Sequence, residues 1–333
     1  MITVGSDFSG VGAFNQSLIR LGIDYKEVFA CDMDKYARQT FIENYGEPEY
    51  YPENVYDREI PKQSLDIYMT SPPCQGFSMA GKREGSVLFY NSHEFIQKNK
   101  PRYFIFENVK GLLSHENGIT FQTWIDYLGG KSVNGNPVIF PRSESVPYHI
   151  FHKVINAKKC GVPQNRERIF IVGIRDDVDA VNFKWDKDVF LEKRLKDVLE
   201  SDVPEKYFLS DKLLTYFTKH KEIHKARGNG FEFKPHDEKT KICNAISTKC
   251  GSRQTDPFVK IKSATKKGYE IATKEDSIIT NYKIRRLTPR ECFRLMDFPE
   301  SFKMPCSDSQ MYKQAGNSIV VACLVGIIKN FNL

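Results

Sequence analysis

The sequence predicts a doubly wound α/β fold on a mostly parallel sheet, with a smaller module inserted before the chain returns to the sheet domain. Three observations carry this expectation. Short β-type runs alternate with helical patterns through the first two-thirds of the chain, periodicity fades after Arg175, and a strongly apolar helical pattern closes the sequence. The 333 residues are 40% hydrophobic and 27% charged, which suits one large globular domain with a smaller companion.

The run ITV (2–4) leads into a Gly-rich loop, and Phe14, Leu18 and Leu21 follow at helical spacing with Gly22 as the stop. YKEVFACD (25–32) is the next strand, followed by a helix capped by Asp34 and closed by Gly46. LDIYMT (65–70), YFIFE (103–107) and RIFIVGI (168–174) add further strands. In such sheets ligands bind beyond the carboxyl ends of strands, so the segments after residues 70 and 107 point to one rim. Residues 176–283 are Lys-rich and turn-rich, with no internal repeat. In RRLTPRECFRLMDFPESF (285–302) Pro289 marks a helix start, and GNSIVVACLVGIIKNF (316–331) reads as one final apolar helix. The expected division is a sheet domain over 1–175, completed by about 303–333, with a smaller region over 176–302.

The net charge of +7 is unevenly spread: residues 201–283 hold 17 Lys and Arg against 11 Asp and Glu, leaving +6 there and +1 elsewhere. A basic segment beside a near-neutral one suits a polyanion-facing module. The opening MITVGSDFSG has no signal-peptide character, and the longest apolar run, 319–328, is too short to span a bilayer. The eight cysteines are scattered without a C-x-x-C pair, so reduced thiols in a cytoplasm are expected and a zinc site is not. His220 and His224 in HKEIH lack the glutamate position of a zinc-protease motif and read as a solvated helix face.

Two stretches carry chemistry. In DFSGVGAF (7–14) the glycines let a ligand approach the backbone, and Asp32, at the end of the following strand, is placed to bond ribose hydroxyls. The full G-x-G-x-x-G and a phosphate-binding lysine are missing, which favours an adenosine ligand without phosphates, such as S-adenosylmethionine. In SPPCQGFS (71–78) two prolines impose a stiff, extended lead-in to Cys74, which suits a reactive thiol and equally a turn that contains cysteine. Glu107 alone could be an ordinary strand-end carboxylate, and Arg166 and Arg168 alone could line a solvated face.

Together these motifs resemble, in order and along nearly the whole chain, a bacterial C5-cytosine DNA methyltransferase of the restriction-modification type. The resemblance runs through DFSGVG, ACDMDKYA (30–37), LDI (65–67), SPPCQGFS, ENV (107–109), QNRER (164–168), RRLTPRECFRLMDFP and YKQAGNSIV (312–320). It implies a Rossmann-like methyltransferase domain with an inserted target-recognition domain, S-adenosylmethionine as cofactor with S-adenosylhomocysteine as product, and no metal. It implies that Asp7, Phe8, Ser9, Gly10 and Gly12 hold the methionine part, Asp32 the ribose and Met33 the adenine face, with Asp66 and Ile67 at the adenine amino group. Pro73, Asn317 and Ser318 complete the cofactor set, although Gly316-Asn317 could also simply start the final helix.

The implied chemistry agrees with the residue types. Carbon 5 of cytosine is a poor nucleophile, and adding the Cys74 thiolate to carbon 6 makes carbon 5 enamine-like. A free thiol has a pKa of about 8.5, so pre-positioning matters. Glu107 would protonate or hydrogen-bond N3, Arg168 would reach O2, Arg166 would support its loop, and Asn108 would hold the backbone around the acid. A duplex base must be flipped out to reach this constellation. The loop 75–89 would close over DNA with Gly76, Gly81 and Gly85 as flex points, Lys82 and Arg83 on phosphate, and Gln75 or Met79 in the vacated space. It is shorter than is usual in the family and lacks the acidic-to-arginine pair before its Leu-Phe.

Sequence specificity would come from the inserted module, roughly 176–283, with NAISTKCGSRQTDPF (244–258) as its reader. Thr248, Lys249 and Arg253 are its candidate DNA contacts, and Ala245-Ile246 or Ser247-Thr248 stands where the family often has Thr-Leu. The expected partner is double-stranded DNA, with a monomeric enzyme in a prokaryotic cytoplasm or encoded by a phage, and a cognate endonuclease acting independently. Competing readings are a tRNA cytosine-5 methyltransferase, whose Cys-Phe-Thr signature is missing, and a catalytically silent DNA-binding homologue, which would have lost the cysteine, acid or cofactor loop. A nicotinamide-dependent dehydrogenase is disfavoured by the incomplete glycine fingerprint.

Overall fold

The computed structural model describes residues 1–73, 84–178, 180, 182–226, 228, 233–262 and 282–333. Its main sheet has eight strands in the order β2-β1-β3-β4-β9-β7-β5-β6. These are β1 (Ile2–Asp7), β2 (Tyr25–Cys31), β3 (Ile67–Thr70), β4 (Tyr103–Val109), β5 (Ser132–Val133), β6 (Asn136–Pro137), β7 (Tyr148–Asn156) and β9 (Glu167–Arg175). Strands β2, β1, β3 and β4 run parallel, and β9 lies antiparallel to both β4 and β7. The chain moves outward from β1 to β2 and then crosses back to β3, so the order reverses between β1 and β3. That reversal opens a crevice at the carboxyl ends of these strands.

The two-residue period of the strands divides the interior into two cores. Ile67, Met69, Tyr103, Ile105, Phe170 and Val172 face one side, with Phe14 and Leu18 of α1 (Ala13–Arg20) and Val321, Leu324 and Ile328 of α8 (Val321–Ile328). Tyr68, Phe104, Phe106, Ile169 and Ile171 face the other, under Phe89, Phe95 and Ile96 of α3 (Glu84–Asn99) and Trp124 and Leu128 of α4 (Ile119–Leu128). The sheet is therefore covered on both faces, as the sequence predicts for a doubly wound fold.

Local signals place several elements. The Asp34 carboxylate accepts from the amides of Tyr36 and Ala37 to start α2 (Lys35–Tyr45), and Gly46 ends it at φ +84°. Thr288 and Glu291 form a reciprocal cap at the start of α6 (Pro289–Leu295). The buried Glu291 also pairs with Arg285 at 2.7 and 2.8 Å, tying α6 to β12 (Tyr282–Arg286).

Two expectations are corrected. The C-terminal stretch is two helices, α7 (Asp308–Asn317) and α8, so Gly316 and Asn317 end one helix and do not start the last. The stretch Asp308–Ile328 has the length and composition to cross a membrane, yet 72% of its apolar window is buried inside the fold. Gly85, expected as a flex point of a loop over 75–89, falls in the first turn of α3.

The rest of the chain adds α5 (Asp211–Ala226), the pairing of β8 (Gln164–Asn165) with β10 (Cys243–Asn244), and β11 (Phe258–Lys262) antiparallel to β12. A small third core joins Leu214 and Phe217 of α5 to Phe233, Phe258 and Ile284.

Candidate active site

The Gly-rich segment turns sharply at the end of β1. Phe8, Gly10 and Gly12 all take positive φ, at 57°, 56° and 81°. Gly12 has no room for a side chain, since a Cβ would stand 2.1 Å from the Tyr45 ring. A Cβ at Gly10 would meet nothing within 4 Å, so this glycine borders open space at the strand ends. Across that space Asp32 accepts from the Gly10 amide at 2.8 Å and from the Asp34 amide at 2.8 Å. Two of its lone-pair sites are then left for a ligand. Met33 beside it is 84% exposed, an apolar side chain offered to solvent at the rim. Ser9 hydrogen-bonds the Tyr51 hydroxyl at 3.3 Å, and the Arg38 guanidinium covers the Tyr51 ring at 3.9 Å. These residues fit an adenosine-type ligand: an open backbone cradle, a strand-end carboxylate and flanking apolar surface.

Asp7 is placed differently from the expectation. Its carboxylate is 1% exposed, paired with Arg58 Nε at 2.8 Å and accepting from the Tyr68 hydroxyl at 2.5 Å. Burial pushes its carboxyl upward, opposed by the Arg58 charge. Asp7 thus braces the glycine turn from beneath and does not face a ligand with its side chain. Arg58, lodged 4.5 Å over the Phe95 ring, carries the brace on to Asn91 of α3 at 3.0 Å.

Asp66 and Ile67 are not at this rim. Asp66 precedes β3 and lies beside Thr3, whose amide and hydroxyl it accepts at 2.8 and 3.1 Å, and its other oxygen takes Arg102 at 3.1 Å. Asp7 pairs in register with Thr70, so Asp66 sits at the opposite, amino end of the strand. Ile67 is fully enclosed in the core. Neither can touch a ligand held by Asp32, so the cofactor set that the resemblance implies does not include them.

The acid and the arginines come together where β4 and β9 meet. Glu107 is 8% exposed and pairs with Arg168 Nε at 3.0 Å. Burial raises its carboxyl above the ordinary range, while Arg168 and then Arg166 pull it back. Asn108 donates to the Pro72 carbonyl at 3.0 Å, which draws the Ser-Pro-Pro segment against the acid, and Pro73 next to it is exposed. Arg166 is buried and lines no solvated face. Its guanidinium donates to the carbonyls of Ile246 at 3.3 Å, Gly316 at 2.8 Å and Ser318 at 2.9 Å. Cys74, Gln75, Gly76, Met79, Gly81, Lys82 and Arg83 lie outside the described residues.

The end of α7 approaches the Asp34 side of the rim. Lys313 pairs with Asp34 at 2.6 Å, and Asn317, one turn later, is exposed. Ser318 is buried, with its hydroxyl directed to the Ile319 carbonyl at 3.2 Å. Thr248 is half-buried against this end of α7, while Lys249 and Arg253 are exposed. Sequence reasoning missed Tyr51, Arg38, Arg58, Gln164 and Asp256, because each acts through a partner distant in the chain or through a backbone group.

Comparison with known proteins identifies the family. The profile of the family described as C-5 cytosine-specific DNA methylase matches residues 2–332. The type II methyltransferase M.HpaII of Haemophilus parainfluenzae is 33% identical over 328 residues, covering 95% of this chain and 85% of that protein. M.HhaI of Haemophilus parahaemolyticus is 31% identical over 331 residues, covering 97% and 92%. Among solved structures, a DNMT2 mutant of Spodoptera frugiperda superposes with a TM-score of 0.73 at 20% identity, covering 99% of each chain, a likeness of fold. With the glycine turn, the strand-end carboxylate and the Glu107–Arg168 pair on one rim, the chain belongs to the C-5 cytosine-specific DNA methylase family, and it is a DNA cytosine-5 methyltransferase.

Proposed function

We propose that the protein is a site-specific methylase of a restriction-modification system, acting on a flipped-out cytosine through a covalent bond to Cys74. The observation that carries this reading is the Asn108–Pro72 contact beside the Glu107–Arg168 pair, because it sets the lead-in of the nucleophile motif against the acid. S-adenosylmethionine, when bound, supplies an electrophilic methyl group; Gly10, Asp32, Met33, Tyr51 and the Asn317 end of α7 are the residues suited to hold it.

The Cys74 thiolate adds to carbon 6, and the electron pair moves through the ring toward N3 and O2. Glu107, its carboxyl raised by burial, donates to N3, and Arg168 faces the charge at O2. Once carbon 5 carries the methyl group, its proton leaves to water, the freed electron pair re-forms the carbon 5–carbon 6 double bond and expels Cys74 as thiolate, and N3 returns its proton to Glu107. Asn108 and Arg166 position these groups without touching the base.

The basic region 176–302 is the proposed target-recognition part, with 244–258 as the reader and Thr248, Lys249 and Arg253 as DNA contacts. The relatives' type II designations support a restriction-modification role, paired with a separate endonuclease. A monomer working in a prokaryotic cytoplasm without a metal completes the proposal.

The test is to map 5-methylcytosine by sequencing on a complex DNA library incubated with protein and S-adenosylmethionine, with Cys74→Ala alongside. Methylation confined to one short context and absent in Cys74→Ala is the expected result. Silence on DNA from cofactor-binding protein, with activity on tRNA, overturns it in favour of RNA modification. Substantial turnover by Cys74→Ala overturns the covalent route.

A further inference from the structure

The segment 247–256 closes on one buried carboxylate. Asp256, 6% exposed, accepts from the Ser247 hydroxyl at 2.9 Å and from the amides of Ser252 at 3.1 Å and Arg253 at 2.9 Å. Gly251 turns the loop at φ +85°, and a Cβ there would stand 2.5 Å from Cβ of Arg286, so the turn is also wedged from behind. Lys249, Ser252 and Arg253 are left on the outside.

The same loop is attached to the catalytic rim at several consecutive residues. The Cys243 amide donates to the Pro163 carbonyl at 3.0 Å, and β10 pairs with β8. Gln164 is fully buried and works in both directions: its Oε1 accepts from the Ile246 amide at 3.0 Å, and its Nε2 donates to the Leu295 carbonyl at 2.7 Å. Arg166 then takes the Ile246 carbonyl. Gly316 finishes the contact, since a Cβ on it would stand 2.4 Å from the Thr248 nitrogen and 2.5 Å from the Ser247 carbonyl carbon. Its φ is not positive, so the glycine is required by the neighbouring backbone and not by its own conformation.

We propose that Asp256 is a specificity-positioning residue, which holds 247–256 as a preformed reading unit, and that Gln164 and Gly316 set the register of that unit against Arg168. The proposal rests on the reading that 244–258 meets base edges. A loop already ordered loses little conformational freedom on binding and cannot rearrange to accept a wrong base pair. Loosening it should therefore cost discrimination before it costs chemistry.

The test uses the full-length protein and compares kcat/KM on the cognate duplex with kcat/KM on duplexes carrying one altered base pair in the site. Lys249→Ala with Arg253→Ala examines the underlying reading; Asp256→Ala, Asp256→Asn and Gly316→Ala examine the proposal. Asp256→Ala should lower the cognate-to-altered ratio about tenfold or more, a loss of the size carried by one base-pair contact. The KM for DNA should rise more than kcat falls, and cofactor affinity should stay unchanged. Asp256→Asn should recover part of the ratio, because its carbonyl can still accept from the two amides, and it carries the test if the alanine variant does not fold. Gly316→Ala should lower the ratio in the same direction by displacing the Ser247-Thr248 backbone. An altered preference in the Lys249/Arg253 variant with a wild-type ratio in both Asp256 variants overturns the proposal. An unaltered preference in the Lys249/Arg253 variant removes the reading itself, and the proposal falls with it.

Discussion

Asp7 and Asp256 are both buried carboxylates beneath a turn that must keep its shape, yet they are satisfied in opposite ways. Asp7 is met by a guanidinium and a phenol from residues 58 and 68, far along the chain, with burial working against its charge. Asp256 is met by one hydroxyl and two amides, all within nine residues of it. The first arrangement welds the glycine turn into the fold, through β3 and α3. The second shapes a loop through groups of the loop itself. A buried ion pair that loses one partner leaves an uncompensated charge, whereas a loop that loses its acceptor can hand the freed amides to water.

The largest effect should follow from breaking the first arrangement. Arg58→Ala should lower stability by about 3–5 kcal/mol, read as a fall in the denaturation midpoint, with cofactor affinity lost as the glycine turn loosens. A fall of a few tenths would mean that Asp7 finds another partner and that the glycine turn keeps its brace. Asp256→Ala should cost only about 1–2 kcal/mol of global stability, since its partners become accessible to water. A loss equal to that of Arg58→Ala would show that the Asp256 closure carries global stability and not the shape of the loop alone.

Glu27 offers a third case, a carboxyl with neutral neighbours alone. Asn15 donates to it, Tyr25 stands nearby, and burial pushes it up to about 8. The folded protein therefore keeps this proton at pH values where the unfolded chain has released it. Stability from this group is fully present below about pH 4.5 and is lost as pH rises to about 8, after which the deficit is constant. Glu27→Gln should thus stabilise the protein by about 1 kcal/mol or more at pH 8 and by little at pH 5, measured by thermal unfolding across that range. An increment that does not vary with pH would remove the ionisation from the account.

The smallest change in stability, and a change in binding alone, belongs to α5. Lys212 and Lys219 are exposed on one face of that helix, two turns apart. Replacing both with alanine should leave the unfolding midpoint in place and reduce the slope of log affinity against log salt for non-target DNA by about two. An unchanged slope would place the phosphate track elsewhere on the basic region.

What the sequence made legible follows the same division between near and far. Asp34 with Gly46, Thr288 with Pro289 and Glu291, and the strand-end motifs after β1, β2 and β4 are local signals, and each element formed where those signals lie. Asp66 misled because the resemblance set it at the cofactor although it precedes β3. The rim lies beyond the carboxyl end, and the Asp7–Thr70 register leaves Asp66 at the far end. The apolar run from 316 to 331 hid a helix break at 318–320, because hydropathy alone does not report that Arg166 claims the Gly316 and Ser318 carbonyls. Arg58 went unremarked, and Tyr68 and Gln164 were read only within LDIYMT and QNRER, because a buried partner tens of residues away leaves no pattern.

The dock between the reading loop and the rim has a consequence for redesign. On the loop's side the contacts are the Cys243 amide, both polar groups of Ile246 and the Ser247-Thr248 main chain. The rim grips the loop by its peptide groups, while the side chains of Ile246 and Cys250 anchor it in the main core. Outward residues such as Lys249, Ser252 and Arg253 can then be exchanged without loosening the grip, provided loop length and the Asp256 closure are kept. On the proposed reading, a library varied at those positions would alter which sequence is marked while leaving the marking machinery intact.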